Sequence, residues 1–319
     1  MRRPWVFYGL FVFASLAFAS SADSQTPGSD VQSAEDYSLK VAVDEVSLDF
    51  HAADAHGLPI NDLRPDELKI LDNGKPPRRI LSFHVLQDLP LRAGILIDTS
   101  ESMGQRVAGE RAISIRFAQQ LLRQQTDQAF VMDFGYISKI TQSWTGNPNA
   151  LTAGIRQVIA GRENPLGGTA MFDTLFRACF NVFGKTDHAA SGNFILLFSD
   201  GDDNAGHTSL EEVVDICQRA NTAIYAFRSE PNPNFFSMGP KALAELAEET
   251  GGRVFPNDES DAWIDSDLRT IEKDLRNQYR LVYNPTELKH DGSFRRIELK
   301  APERVDSISI RSGYYDRAR

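Results

Sequence analysis

Apolar and polar residues alternate with period two near the start of the chain. Leu39, Val41 and Val43, then Val46, Leu48 and Phe50, fall in two phases, as a strand with a bulge or kink would. A turn at Asp54-Ala55-His56-Gly57 follows, then Leu68-Lys69-Ile70-Leu71. Asp72-Asn73-Gly74 is a hairpin signal, with a return strand predicted from Arg79 to Val85. This all-β unit ends near Gln87.

The period then changes. Continuous apolar runs at 93–98, 129–134, 194–199 and 223–227 predict buried strands, and 137–141 an edge strand. Between them, helical patterns fall at about 106–124, 149–159, 170–183, 209–221, 240–249 and 261–276. Gly251-Gly252 reads as a helix stop before a short strand at Arg253-Val254-Phe255. Strands alternating with helices predict an α/β fold with a doubly wound, mostly parallel sheet. Past residue 276 the pattern returns to β: Tyr279, Leu281 and Tyr283, then Ile297 and Leu299, then Ile308, Ile310 and Tyr314. Neither β segment has enough strands to stand alone. The expectation is therefore one small β-sandwich built from residues 38–88 and 277–316, with the α/β domain of residues 90–276 inserted between them.

The N-terminus changes the address rather than the fold. Arg2 and Arg3 precede an apolar stretch from Trp5 to Phe18, and Ala17-Phe18-Ala19 offers small residues at cleavage spacing. Residues 1–19 read as a signal peptide cleaved near Ala19, since the run is shorter than the ~20 residues of a spanning helix. Residues 20–37 are small and polar and read as a disordered linker. The expected location is outside the cytoplasm, periplasmic or extracellular, with no membrane span in the mature chain. The net charge of −10, with no Lys/Arg cluster, disfavours nucleic acid as a partner. Cys179 and Cys217 both fall on apolar helix faces of the same sheet side. Buried thiols and a disulfide are both open readings.

Chemistry concentrates where the apolar run Gly94-Ile95-Leu96-Ile97 meets Asp98-Thr99-Ser100-Glu101-Ser102-Met103-Gly104. In an extended loop Asp98, Ser100 and Ser102 point to one side, giving hard oxygen donors suited to Mg²⁺ or Mn²⁺, ahead of Ca²⁺. Gly167-Gly168-Thr169-Ala170 adds a hydroxyl before a helix, and a second buried strand ends in Ser199-Asp200-Gly201. Both aspartates directly follow their strands and are expected to face an open crevice. Together Asp98, Ser100, Ser102, Thr169 and Asp200 resemble the metal-ion-dependent adhesion site of von Willebrand factor type A domains, over residues 90–272, with every motif position filled. The resemblance implies that strands 93–98 and 194–199 are neighbours. It also implies that the three hydroxyls ligate directly while the aspartates act largely through water. The ion would then keep a position for a carboxylate oxygen of a protein partner. The wider arrangement, with Asp66-Glu67-Leu68-Lys69-Ile70 and Arg311-Ser312-Gly313-Tyr314-Tyr315, looks like exported bacterial proteins related to that family.

Other constellations carry less. Asp202, Asp203 and Asn204 lack the spacing of a calcium loop and read as an acidic rim and helix lead-in. His51, Asp54 and His56 could form a metal cluster but read rather as a solvated hairpin turn, and His188 and His207 read as loop residues without a paired nucleophile. The expected function is a metal-dependent protein-binding module for adhesion or assembly, without catalytic activity. A metal-assisted hydrolase, or an assembly protein whose metal only stiffens the fold, are the competing readings. Phe235 and Phe236, in a proline-stiffened segment after strand 223–227, are candidate partner contacts; plugging the domain's own rim is the other reading.

Overall fold

The computed structural model describes residues 45–161, 167–185, 191–229, 237–256 and 261–317, all within one compact unit that begins at Val43. The expected signal peptide, linker and Leu39–Val43 alternation lie outside the described residues, as do His188, Phe235 and Phe236.

The alternation beginning at Val46 makes β1 (Val46–Ala53), whose Val46, Leu48 and Phe50 are buried. Asp54 closes the next turn, its carboxylate accepting the N–H groups of His56 and Leu58. β2 (Lys69–Asp72) and β3 (Arg79–Leu86) follow. Between them Asn73 and Gly74 take φ of 50° and 78°, the left-handed turn that Asn-Gly favours. The expected hairpin does not form, because β2 pairs with a later strand and not with β3. Pro76 and Pro77 follow the Asp72–Lys75 bridge and have no N–H with which to continue a ladder. The turn therefore carries the chain from one sheet to another.

The middle of the chain runs β4 (Leu91–Asp98), α1 (Arg106–Gln120), β5 (Gln128–Phe134), β6 (Ser138–Thr145), α2 (Pro148–Arg156) and α3 (Met171–Arg177). The last helix continues as a π-helical turn, Ala178–Phe183. Next come β7 (Gly192–Ser199), α4 (Leu210–Arg219), β8 (Thr222–Arg228), α5 (Gly239–Thr250), β9 (Arg253–Pro256) and α6 (Asp261–Arg276). The six strands form one sheet in the order β6-β5-β4-β7-β8-β9, parallel except for β6. Apolar cores cover both faces. Val107, Phe117 and Ile271 pack on one, and Met171, Val213 and Leu246 on the other. The burial of β4 and β7 on both faces explains their unbroken apolar runs. Cys179 and Cys217 lie within the second core and form a disulfide, with Cα atoms 5.0 Å apart.

The chain then returns through β10 (Gln278–Asn284), β11 (Phe294–Lys300), β12 (Ser307–Ile310) and β13 (Gly313–Tyr315). Two antiparallel sheets result, β12-β1-β10-β3 and β13-β11-β2, each drawing strands from both ends of the sequence. Leu48, Phe50, Ile70, Leu281 and Ile297 pack between them, and Tyr279 stacks between Phe50 and Phe83. His51, expected in a solvated turn, is buried in β1. Its Nδ1 donates to the Asn277 carbonyl at 2.6 Å, and its Nε2 faces Asp274 at 3.5 Å. The entry into the α/β section and the exit from it are side by side. Leu89 N–H donates to the Arg276 carbonyl, and the Arg276 guanidinium returns a bond to the Leu89 carbonyl.

Candidate metal centre

β4 and β7 run parallel in register, Ile97 opposite Phe198, so both end at the same level. Asp98 therefore stands beside Ser199. Its Oδ1 accepts the Ser100 N–H at 2.9 Å, and its Oδ2 accepts the Ser199 hydroxyl at 2.7 Å. The chain turns at Ser100, whose carbonyl accepts the Met103 N–H, and buried Met103 anchors the turn in the core. The Ser100 and Ser102 hydroxyl oxygens lie 3.1 Å apart.

Thr169 reaches the same edge from another direction. Gly167 and Gly168 have φ of 66° and 92°, and a Cβ on Gly168 would stand 2.9 Å from Asn204 Oδ1. The loop after β7 then grips Thr169. Asn204 Oδ1 accepts its N–H, and its carbonyl accepts the N–H groups of Asn204 and Ala205. Ala170 N–H donates to the Gly135 carbonyl, and Gly135 packs against Thr99, Ser100 and Gly168. Asp203 Oδ1 accepts the Phe172 N–H at the start of α3. Asp200 Oδ1 accepts the Asp202 N–H, and Asp202 in turn accepts the Ser237 hydroxyl. Asp98, Ser100, Ser102, Thr169 and Asp200 thus sit on adjoining loops at the carboxyl edge of β4 and β7.

The open crevice expected around the aspartates is not what the structure shows. Asp98 is 0% and Asp200 2% exposed; Ser199 packs against the first, and Gly239 at the start of α5 against the backbone of the second. Ser102 is the exposed member of the set. Three residues that sequence reading did not assign to the site hold it in place: Ser199, Asp203 and Asn204. Ser199 had a signal in the Ser-Asp-Gly strand end. Asp203 and Asn204 read from sequence as an acidic rim and helix lead-in.

The electrostatics favour a cation. Burial pushes the Asp98 carboxyl up to about 6, against the bonds from Ser100 and Ser199, and the Asp200 charge pushes the same way. Among the described residues, no Lys or Arg pairs with Asp98 or Asp200. No group of three or more His, Cys, Asp or Glu among them could hold a metal, so a cation here depends on hydroxyl oxygens. The hydroxyl pair fits that role, since the edge of an octahedron with bonds of 2.1 Å is about 3.0 Å. Both oxygens of Asp98 are already engaged, which suits contact through water. Thr169, 3% exposed, is fixed at the same edge through its backbone. His207 is exposed and faces Asp173, whose carboxylate also accepts the Thr208 hydroxyl, so that loop is tied to α3.

A sequence profile described as von Willebrand factor type A domain matches residues 94–202, a span that holds all five residues. A comparison with curated protein sequences gave no match. Among solved structures, the conserved hypothetical protein BatB from Bacteroides thetaiotaomicron is 13% identical, with a TM-score of 0.46, and the match covers 57% of this chain and 98% of that one. An aerotolerance-related membrane protein from Bacteroides fragilis is 15% identical, with a TM-score of 0.47, covering 57% of this chain and 99% of that one. Proximal thread matrix protein 1 from the mussel byssus, solved with a zinc-occupied MIDAS motif, is 13% identical, with a TM-score of 0.47, covering 63% of this chain and 50% of that one. From the profile match and the doubly wound sheet it falls on, this chain carries a von Willebrand factor type A domain.

Proposed function

We propose that this chain is an exported, metal-dependent protein-binding module that grips a carboxylate of its partner through Mg²⁺ or Mn²⁺. The observation that carries the reading is the pair of hydroxyls, Ser100 and Ser102, 3.1 Å apart above two buried aspartates that have no basic partner among the described residues. Ser100, Ser102 and Thr169 would hold the ion, and Asp98 and Asp200 would orient its water. Neutral direct donors leave such an ion electrophilic, so it favours an anionic oxygen brought by another protein. We assign the chain no catalysis of its own, because hydroxyl-rich coordination supplies no general base. Export rests on the N-terminal sequence; among the described residues no helix is long and apolar enough to cross a membrane.

The test is capture from the source organism's own envelope extract. Immobilised chain should retain a discrete partner in Mg²⁺, release it in EDTA, and fail to retain it when Ser100 and Ser102 are both alanine. Equal retention in Mg²⁺ and EDTA would sink the reading.

A further inference from the structure

Glu110 lies on the inward face of α1, in phase with Val107, Ser114 and Phe117, where the helix meets the core. It is fully buried. One carboxylate oxygen, Oε1, accepts the Ser229 hydroxyl at 2.9 Å; the other, Oε2, is buried with no hydrogen-bond partner among the described residues. An orphaned carboxylate oxygen is an expensive occupant of a core position, and it calls for an explanation.

Its surroundings supply one. Ser229 N–H donates to the Ser199 carbonyl, and the Ser199 hydroxyl donates to Asp98. A continuous path therefore runs from Glu110 through the ends of β8 and β7 to the candidate metal centre. Glu110 also lies within the electrostatic reach of both Asp98 and Asp200, and Arg106, one turn earlier on α1, is the cation that acts on it. Burial, opposed by the Ser229 bond and reinforced by the two aspartates, pushes its carboxyl up to about 8.

We propose that Glu110 is a positioning residue of the metal centre, a third buried carboxyl behind Asp98 and Asp200. It holds the Ser229–Ser199–Asp98 path in register and, when a cation occupies the centre, releases its proton to solvent and adds negative charge toward the ion. Nothing in the five-residue motif calls for an acid at this place on α1. The inference rests on the reading of that site as a metal centre.

The test is calorimetric titration of Mn²⁺ into the full chain, together with melting of the metal-free protein. Glu110→Gln keeps the volume of the side chain and removes the group that can ionise when the cation binds. It should bind Mn²⁺ about ten-fold or more weakly, the usual penalty for losing a group that supports metal ligands, while the metal-free melting temperature stays at the wild-type value. Wild-type affinity in Glu110→Gln overturns the proposal. So does a fall in metal-free melting temperature that accounts for the weaker binding, which would make the residue merely structural. Should Glu110→Gln fail to fold, Ser229→Ala decides. It leaves the carboxyl in place but cuts the path, and it should weaken Mn²⁺ binding several-fold; unchanged affinity overturns the proposal. A wild-type chain that binds no Mn²⁺ removes this inference and the function above together, whereas an unaltered Glu110→Gln removes this one alone.

Discussion

Asp127→Ala is expected to lower the stability of the chain by about 3–5 kcal/mol, the loss typical of breaking a buried ion pair from one side. Asp127 and Arg276 side chains are 0% and 4% exposed, and the guanidinium donates to the carboxylate through both of its terminal nitrogens. The same carboxylate accepts the backbone N–H of Leu91 and of Arg123. Burial alone would raise its pKa, but the bonds from Arg276 and the backbone outweigh it and hold the group below the usual carboxylate range. Arg276 also donates to the Leu89 and Leu121 carbonyls. One pair therefore ties the start of β4, the end of α1 and the end of α6 where the chain passes between sandwich and α/β sheet. Alanine at 127 would leave both terminal nitrogens of a buried guanidinium without their carboxylate, with Glu272 alone as counter-charge at Nε, and the first N–H of β4 without its acceptor. Urea denaturation measures the change. A loss under about 1 kcal/mol, the range of an exposed pair, would mean that the junction does not depend on it.

The second large effect is expected from the disulfide. Cys179 and Cys217 are 38 residues apart in sequence, and closing a loop of that length stabilises by about 4 kcal/mol in the chain-entropy treatment. The position also bears on the site. Cys179 lies on the π-helical continuation of α3, the helix that begins just after Thr169. Cys217 lies on α4, which follows the Asp200–Asn204 loop. The bridge thus braces the two elements whose leading loops grip each other at Thr169. Replacing both cysteines with alanine should lower stability by roughly that amount, measured again by denaturant melting. A change under about 1 kcal/mol would show that helix packing alone fixes the pair.

What could be read from the sequence, and what could not, follows from the range of the forces involved. β4 and β7 were legible because strands buried on both faces must be apolar throughout, and a polar residue after such a run marks the sheet edge. Asp98 and Asp200 are those residues. The path of the Asp72-Asn73-Gly74 turn was half legible. The turn is local chemistry and forms, but the pairing partner of β2 is more than two hundred residues away and was invisible to a local pattern. Two prolines after the turn were the overlooked clue. The burial of Asp98 and Asp200 was not legible, since it depends on groups that arrive from elsewhere in the chain, Ser199 against Asp98 and Gly239 against Asp200. Glu110 was hidden for a related reason. A single acid on a helix reads as solvated until its phase is compared with Val107 and Phe117. His51 misled in the opposite way, because its neighbours Asp54 and His56 do form a surface turn while His51 itself belongs to β1. The disulfide needed a Cα separation, which no sequence spacing provides.

The central claim, that this edge of the sheet is built around a divalent cation, is tested most directly by titrating Mn²⁺ calorimetrically into the wild-type chain and into Asp98→Asn. Asparagine keeps an acceptor for the Ser100 N–H and nearly the same volume, so the fold should persist while the charge is lost. The account predicts one Mn²⁺ per wild-type chain and binding weakened about ten-fold or more in Asp98→Asn. Equal affinity and stoichiometry in the two proteins would contradict it.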